Sequence, residues 1–231
     1  MLNSVDIIDC GLGNIRSVVR AFESLDINTK VHVSSCTLEN TGLLVVPGVG
    51  SFPSFVDKLQ TNGFVESIRR RFEGGDPLLG ICVGMQVFFE FGYEFKRAEG
   101  LGLVPGEVCQ IGAQVTATNK QSELYEESNN VGDKNFKLPA MGWSAIQPNN
   151  DLADWIGTPL RSINPGTYFY FAHSMQCYCS RKSDQIATVT YNADYDICAT
   201  VQVDNFTGVQ FHPEKSSQDG LIILKDFFES Q

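Results

Sequence analysis

Histidine is scarce in this chain. Its 231 residues hold three, His32, His173 and His212, so any imidazole base must come from that short set. Long apolar runs are missing too. Nothing approaches the roughly 18 residues that a membrane-spanning helix needs, and the opening MLNSVDIID has neither the basic nor the apolar region of a secretion signal. The expectation is a cytoplasmic chain with no membrane partner. Basic clusters are nearly absent as well. Net charge is −10, and the one group of cations, Arg69-Arg70-Arg71, stands near the end of an expected helix, where it suits the dipole. A nucleic-acid partner calls for a basic stripe, so none is expected.

The seven cysteines (10, 36, 82, 109, 177, 179 and 198) are odd in number and irregular in spacing, which argues against a disulfide framework and for small core side chains. Cys177-Tyr178-Cys179 has only His173 close by, so no metal is expected. Nucleotide signatures are fragmentary. Gly11-Leu12-Gly13 lacks the third glycine of a dinucleotide fingerprint, and 47-PGVGSF-52 lacks the GxxxxGK(S/T) pattern of a phosphate loop. No cofactor is expected.

What is present is the pattern of an α/β protein. Apolar residues make up 42% of the chain and charged ones 19%, and the length suits one well-buried domain spanning residues 1–231. In the first half 4-SVDIIDC-10 reads as a strand and 14-NIRSVVRAFESL-25 as a helix with Ile15, Val18, Val19, Phe22 and Leu25 on one face. Then follow strand 30-KVHVSS-35, the buried strand 42-GLLVVPG-48, a helix over 53–71 and strand 77-PLLGI-81. This alternation implies crossover connections and an open parallel sheet. The second half is β-like: 106–117, 167–179, 185–191, 196–204 and 206–211 read as strands of a mixed or antiparallel extension, closed by a helix over 218–229. The polar stretch 118–135 reads as a surface excursion.

Within that frame 78-LLGICVGMQVFFEFG-92 stands out. Cys82 has Gly80 two places before it and Gly84 two places after, with a helix expected from Met85 to Phe91. Glycines on both sides suit a sharp strand-to-helix turn that displays a nucleophile. At the carboxyl end of a parallel strand, the helix start favours thiolate, and the N–H of Val83 is placed to hold an oxyanion. The alternative is an inert cysteine in a glycine-containing turn. His32, in KVHVS, reads as an ordinary sheet residue. His212, in 209-VQFHPEKSS-217, ends a strand that Pro213 stops, and Glu214 can fold back to orient the imidazole. Cys82, His212 and Glu214 thus form a candidate triad, set against a capped His-Pro turn with a surface glutamate. His173 reads either as a sheet histidine or as the end of a strand that presents Ser174 to a ligand. In PGVGSF, the N–H groups of Val49 and Gly50 can supply the other half of an oxyanion hole.

Together GICVGMQ, PGVGSF and VQFHPEKS resemble the class I glutamine amidotransferases. DCGLGNIRSV, LPAMGW at 138–143 and YFYFAHS at 168–174 resemble one branch, the glutaminase subunit of imidazole glycerol phosphate synthase. The resemblance implies a flavodoxin-like three-layer α/β sandwich with a central, mostly parallel sheet. It also implies a triad of Cys82 as nucleophile, His212 as base and Glu214 as orienting acid. The family's oxyanion strand falls on Gly48, Val49 and Gly50, with Val83 as the other donor. Glutamine recognition falls on Gly48, Gly50, Gln86, Glu94, His173, Ser174 and Met175. Asn14, Tyr170 and Lys215 match positions associated with the partner interface or ammonia passage. The implied partner is a HisF-like (βα)8-barrel cyclase/synthase subunit, joined in a heterodimer, through which ammonia is passed. This chain departs from the branch at Ala140 and Ser144, where a histidine and an asparagine usually flank MGW, and at Met175, where an aromatic residue is common. A paralogue that supplies ammonia for sugar amidination in surface-polysaccharide synthesis is the alternative role. A stand-alone cysteine hydrolase and a noncatalytic binding module are two further ones.

Overall fold

The computed structural model describes residues 4–38, 42–113, 137–149, 154–192 and 195–229. Its first half follows the alternation of the sequence. Strand β1 (Val5–Ile8) leads to α1 (Ile15–Glu23), β2 (Thr29–His32) and β3 (Leu43–Gly48). Helices α2 (Phe52–Thr61) and α3 (Phe64–Gly74) then lead to β4 (Leu78–Cys82). Asn14 caps α1, its side-chain oxygen accepting from the Ser17 N–H, and Val18, Ala21 and Phe22 form the buried face. Every residue of β3 and β4 is buried, as a parallel strand covered on both sides requires. The helix expected over 53–71 is two helices, because Gly63 takes φ 74° between them and breaks the hydrogen-bond ladder.

Beyond β4 the structure departs further from the expected elements. The helix expected from Met85 to Phe91 is the single turn α4 (Val83–Gln86), after which Phe89–Gly92 becomes strand β5. Aromatic Phe89 and Phe91 suit a pleated surface better than a helix. Strand β6 (Ala98–Glu99) and β7 (Val104–Gln110) follow, then β8 (Ala140–Pro148), which includes the MGW stretch. The run 167–179 divides at Ser174 into β9 (Tyr168–His173) and β10 (Met175–Cys179), and these belong to different sheets. The remaining elements, β11 (Gln185–Tyr191), β12 (Tyr195–Val203), β13 (Phe206–Val209) and α5 (Ser217–Glu229), lie close to where the sequence puts them. The stretch 118–135 lies outside the described residues.

A nine-stranded sheet runs in the order β2-β1-β3-β4-β13-β12-β11-β8-β9. Its first five strands are parallel, and the rest join antiparallel. The order of the parallel half is that of a flavodoxin-like sheet, with the switch point between β1 and β3. From β1 the chain moves outward in one direction through α1 and in the other through α2 and α3. Right-handed crossovers therefore place these helices on opposite faces, and α5 packs beside α1. A second sheet, β10-β7-β5-β6, completes the structure.

One polar cluster is sealed inside the parallel half. Asp6 on β1 is 2.9 Å from the His32 Nε2 and 3.4 Å from Arg71, whose guanidinium also donates to the Gly42 carbonyl. All three side chains are buried. Arg71 does stand in the last turn of α3, as expected, but it is buried rather than solvated: burial lowers its pKa, and Asp6 and Asp76 oppose that shift.

Candidate active site

The carboxyl ends of β3, β4 and β13 lie side by side, since Gly48 pairs with Cys82 and Ile81 with Val209. Cys82 takes φ 55° and ψ −114°, a region that costs a residue with a Cβ of order 1–3 kcal/mol and that clusters at functional sites. The strain falls on the cysteine itself, not on its flanking glycines. Gly80 and Gly84 have ordinary φ, and their role is space. A Cβ on Gly84 would stand 1.7 Å from the Val46 carbonyl oxygen, and one on Gly48 would stand 2.7 Å from the Gly84 nitrogen. The bare backbones let α4 lie directly on β3, which puts the sulfur at the top of the sheet.

From the neighbouring strand, His212 follows β13 and starts the short 3-10 turn Pro213–Lys215. Its Nδ1 is 2.8 Å from Glu214 Oε1, with both side chains buried. Its N–H donates to the Tyr170 carbonyl, and its own carbonyl accepts from the Ser216 hydroxyl at 2.7 Å, so the main chain is pinned on both sides. Burial lowers the pKa of the imidazole, but hydrogen bonds to Cys82 and Glu214 and the charges of both outweigh it, raising the value to about 10. A carboxylate on Nδ1 and a sulfur partner for the ring define an acid–base pair able to move a proton to or from Cys82.

A cavity with room for about 150 Å³ opens beside the sulfur. Of the residues singled out in the sequence, Val49, Gly50, Cys82, Val83, Gln86, Glu94, His173, Ser174 and Met175 all line it. Gly48 is not among the lining residues; it packs behind them, with Phe55 near its Cα. Glu94 accepts from the Phe52 N–H at 2.7 Å, and burial raises its pKa. His173 Nδ1 lies 2.7 Å from the Met175 carbonyl, to which it donates. Burial drives its pKa down to about 4, so this ring stays neutral while His212 stays charged. The structure adds Pro139 and Ala172 to the lining, and it adds Gln210, fully buried, whose Nε2 is 3.6 Å from the Cys82 sulfur.

Tyr170 and Lys215 stand together just outside, the ammonium 5.7 Å from the ring centroid, and Tyr170 meets Trp143 at 6.2 Å. Trp143 pairs with Tyr170 and Met141 with Ala172 across β8 and β9, so these side chains share one face. On it Met141, Trp143 and Tyr168 are 66%, 50% and 59% exposed. Asn14 serves as the cap of α1, which packs against the 213–215 turn. Among the described residues no helix is long and apolar enough to cross a membrane.

An open α/β sheet with a cysteine–histidine–carboxylate cluster at its carboxyl edge defines a class, and comparison with known proteins agrees. The model of the family "Glutamine amidotransferase class-I" matches residues 6–230. Imidazole glycerol phosphate synthase subunit HisH 1 of Legionella pneumophila (strain Lens) is 34% identical over 99% of this chain and 100% of its own length. The HisH subunit of Syntrophotalea carbinolica is 37% identical over 96% and 97%. Among solved structures, PurLQS from Thermotoga maritima superposes with a TM-score of 0.68 at 16% identity, covering 100% of this chain and 99% of that one. A glutamine amidotransferase gives 0.64 at 17%, covering 97% of each. These two speak to the fold alone. The chain belongs to the class-I glutamine amidotransferases, within them to the HisH family, and is a glutamine-hydrolysing enzyme.

Proposed function

We propose that the chain is the glutaminase subunit of a two-protein synthase, hydrolysing L-glutamine at Cys82 and passing ammonia to a (βα)8-barrel cyclase/synthase that makes imidazole glycerol phosphate. The observation that carries the chemistry is the short His212–Glu214 contact behind a strained, cavity-lining Cys82. The relatives named above supply the acceptor and the kind of partner. On this reading the whole chain, 1–231, is one glutaminase domain working in the cytoplasm.

The Cys82 thiolate attacks the side-chain carbonyl carbon of glutamine, and the electron pair of the C=O bond moves to oxygen. Backbone N–H groups of Val83, Val49 and Gly50 receive that oxyanion. As the C–N bond breaks, protonated His212 gives its proton to the leaving nitrogen, and ammonia departs. The now neutral imidazole takes a proton from water, whose oxygen attacks the thioester. Glutamate leaves, and the thiolate–imidazolium pair is restored. Glu214 holds the imidazole by its Nδ1 throughout. Gln86, Glu94, Ser174 and Met175 hold the α-amino and α-carboxylate end of the substrate, and neutral His173 supports Met175 from behind.

The exposed face of Met141, Trp143 and Tyr168, with Tyr170 and Lys215 at its edge, receives the barrel. It adjoins the cavity through Ala172, so ammonia crosses from one protein to the other without meeting solvent. The test is glutamate release from glutamine by the full chain, alone and with the barrel subunit and its ligand. Stimulation by that barrel, abolished in Cys82→Ala, is expected. Stimulation instead by a cyclase-like partner from a sugar-amidination pathway would overturn the assignment of acceptor, and unchanged activity in Cys82→Ala would overturn the mechanism.

A further inference from the structure

Gln210 is the one polar side chain in the apolar run 206-FTGVQF-211 besides Thr207, and it is fully buried. Its backbone N–H is satisfied by the Ala199 carbonyl, so the sheet does not need its side chain. The side-chain amide instead joins two members of the site. Its Nε2 is 3.6 Å from the Cys82 sulfur, and its Oε1 accepts from the Gln86 Nε2 at 3.0 Å. A charged sulfur out of water is costly unless each available donor points at it. Beyond the backbone, His212 offers one such donor and Gln210 the other.

The chemistry of the two amides also fixes a direction. A thiolate only accepts, so Gln210 must turn its NH2 group toward the sulfur. Its carbonyl then faces Gln86, which can answer only with its own NH2 group. That leaves Gln86 Oε1 as the acceptor available to a ligand in the cavity that Gln86 lines. An acceptor is what the α-ammonium of an amino-acid substrate requires. The charge on the sulfur and the polarity of the binding pocket are thereby set by one chain of hydrogen bonds, each bond polarising the next.

We propose that Gln210 is a catalytic residue: its side-chain N–H holds the Cys82 sulfur as thiolate and, through Gln86, orients the pocket to accept the substrate ammonium. The proposal rests on Cys82 being the nucleophile. During thioester formation the sulfur loses its charge and the hydrogen bond weakens. When water displaces the sulfur, the bond is remade, and Gln210 stabilises the departing thiolate.

The test is the rate of Cys82 carbamidomethylation by iodoacetamide in the full chain across pH 5–10, read by peptide mass spectrometry, with exposed Cys36 as internal comparator. Gln210→Met keeps the volume and removes the donor. It is expected to move the midpoint of the Cys82 alkylation profile up by about one unit, the size of a hydrogen bond to a charged group, and so to slow alkylation about tenfold at pH values below the wild-type midpoint. The KM for glutamine should rise, because Gln86 is then free to turn. Gln210→Glu, which sets an acceptor against the sulfur, is expected to move the midpoint further up, and it serves as the readout if the methionine variant fails to fold. A folded variant of either kind with the wild-type alkylation profile would overturn the role of Gln210. Failure of the underlying reading looks different: wild-type Cys82 would then be no more reactive than Cys36.

Discussion

At the residue scale the site turns on the protonation of His212. The His212 pKa of about 10 means that the imidazole is protonated through the physiological range and able to give its proton to a leaving amine. The sign for stability follows from the raised value. The contribution of this proton is fully present below the ordinary histidine value of about 6.5 and is lost as pH rises through about 10. Activity is expected to fall on the same alkaline limb. In Glu214→Gln one of the groups that raises the value becomes neutral, so the limb of the kcat profile should move to lower pH and kcat should drop about a hundredfold. A pH–rate series on the variant checks both, and an unmoved limb would mean that Glu214 does not charge the ring. Cys82, His212 and Glu214 were legible in the sequence because each sits in a short motif whose glycine or proline has a local geometric reason. Gln210 was not, because its role exists only across strands, 128 residues from the sulfur it meets. The contrasting charge states of His173 and His212 were hidden for the same reason. Both end strands, and only burial and partners separate them.

At the element scale the contact of α4 with β3 governs where the sulfur stands. Gly84→Ala puts a methyl group into the Val46 carbonyl, and backbone on both sides leaves it nowhere to go. The expected loss is about 3 kcal/mol, read as a lower urea midpoint at unchanged slope, with glutaminase activity falling further than the fraction unfolded accounts for. Wild-type stability in this variant would show that α4 can ride away from the sheet. The parallel half was readable because buried strands and amphipathic helices have distinct periods. The stretch after Cys82 reads as a longer helix because 83-VGMQVFFE-90, apolar but for Gln86 and Glu90, carries no clear period. Its aromatic residues were the clue to β5. The division of 167–179 at Ser174 is a tertiary event: β9 extends the large sheet and β10 the small one, while the sequence shows one unbroken aromatic run. The sealed Asp6–His32–Arg71 cluster escaped for a related cause, since a helix-end arginine and a strand histidine look ordinary until β1 and β2 are placed side by side.

At the scale of the whole molecule, the proposed function uses the carboxyl edge of the large sheet for chemistry and the β8–β9 face for association. Three large apolar side chains in the open next to a cavity are the mark of a covered surface, and a tryptophan at such a place commonly carries about 2 kcal/mol of binding. Trp143→Ala is therefore expected to weaken association with the barrel subunit about thirtyfold by titration calorimetry, leaving the fold intact. Unchanged affinity would move the interface elsewhere. The central claim, that Cys82 frees ammonia which reaches the partner without entering solvent, is tested most directly by isotope tracing. The complex is given amide-15N-glutamine in an excess of unlabelled ammonium, and the 15N content of the barrel's product is measured. The account predicts product nitrogen that is essentially all 15N, and none from glutamine in Cys82→Ala while free ammonium is still incorporated. Product carrying the isotope ratio of the bulk ammonium, or 15N transfer that survives loss of the Cys82 sulfur, would contradict it.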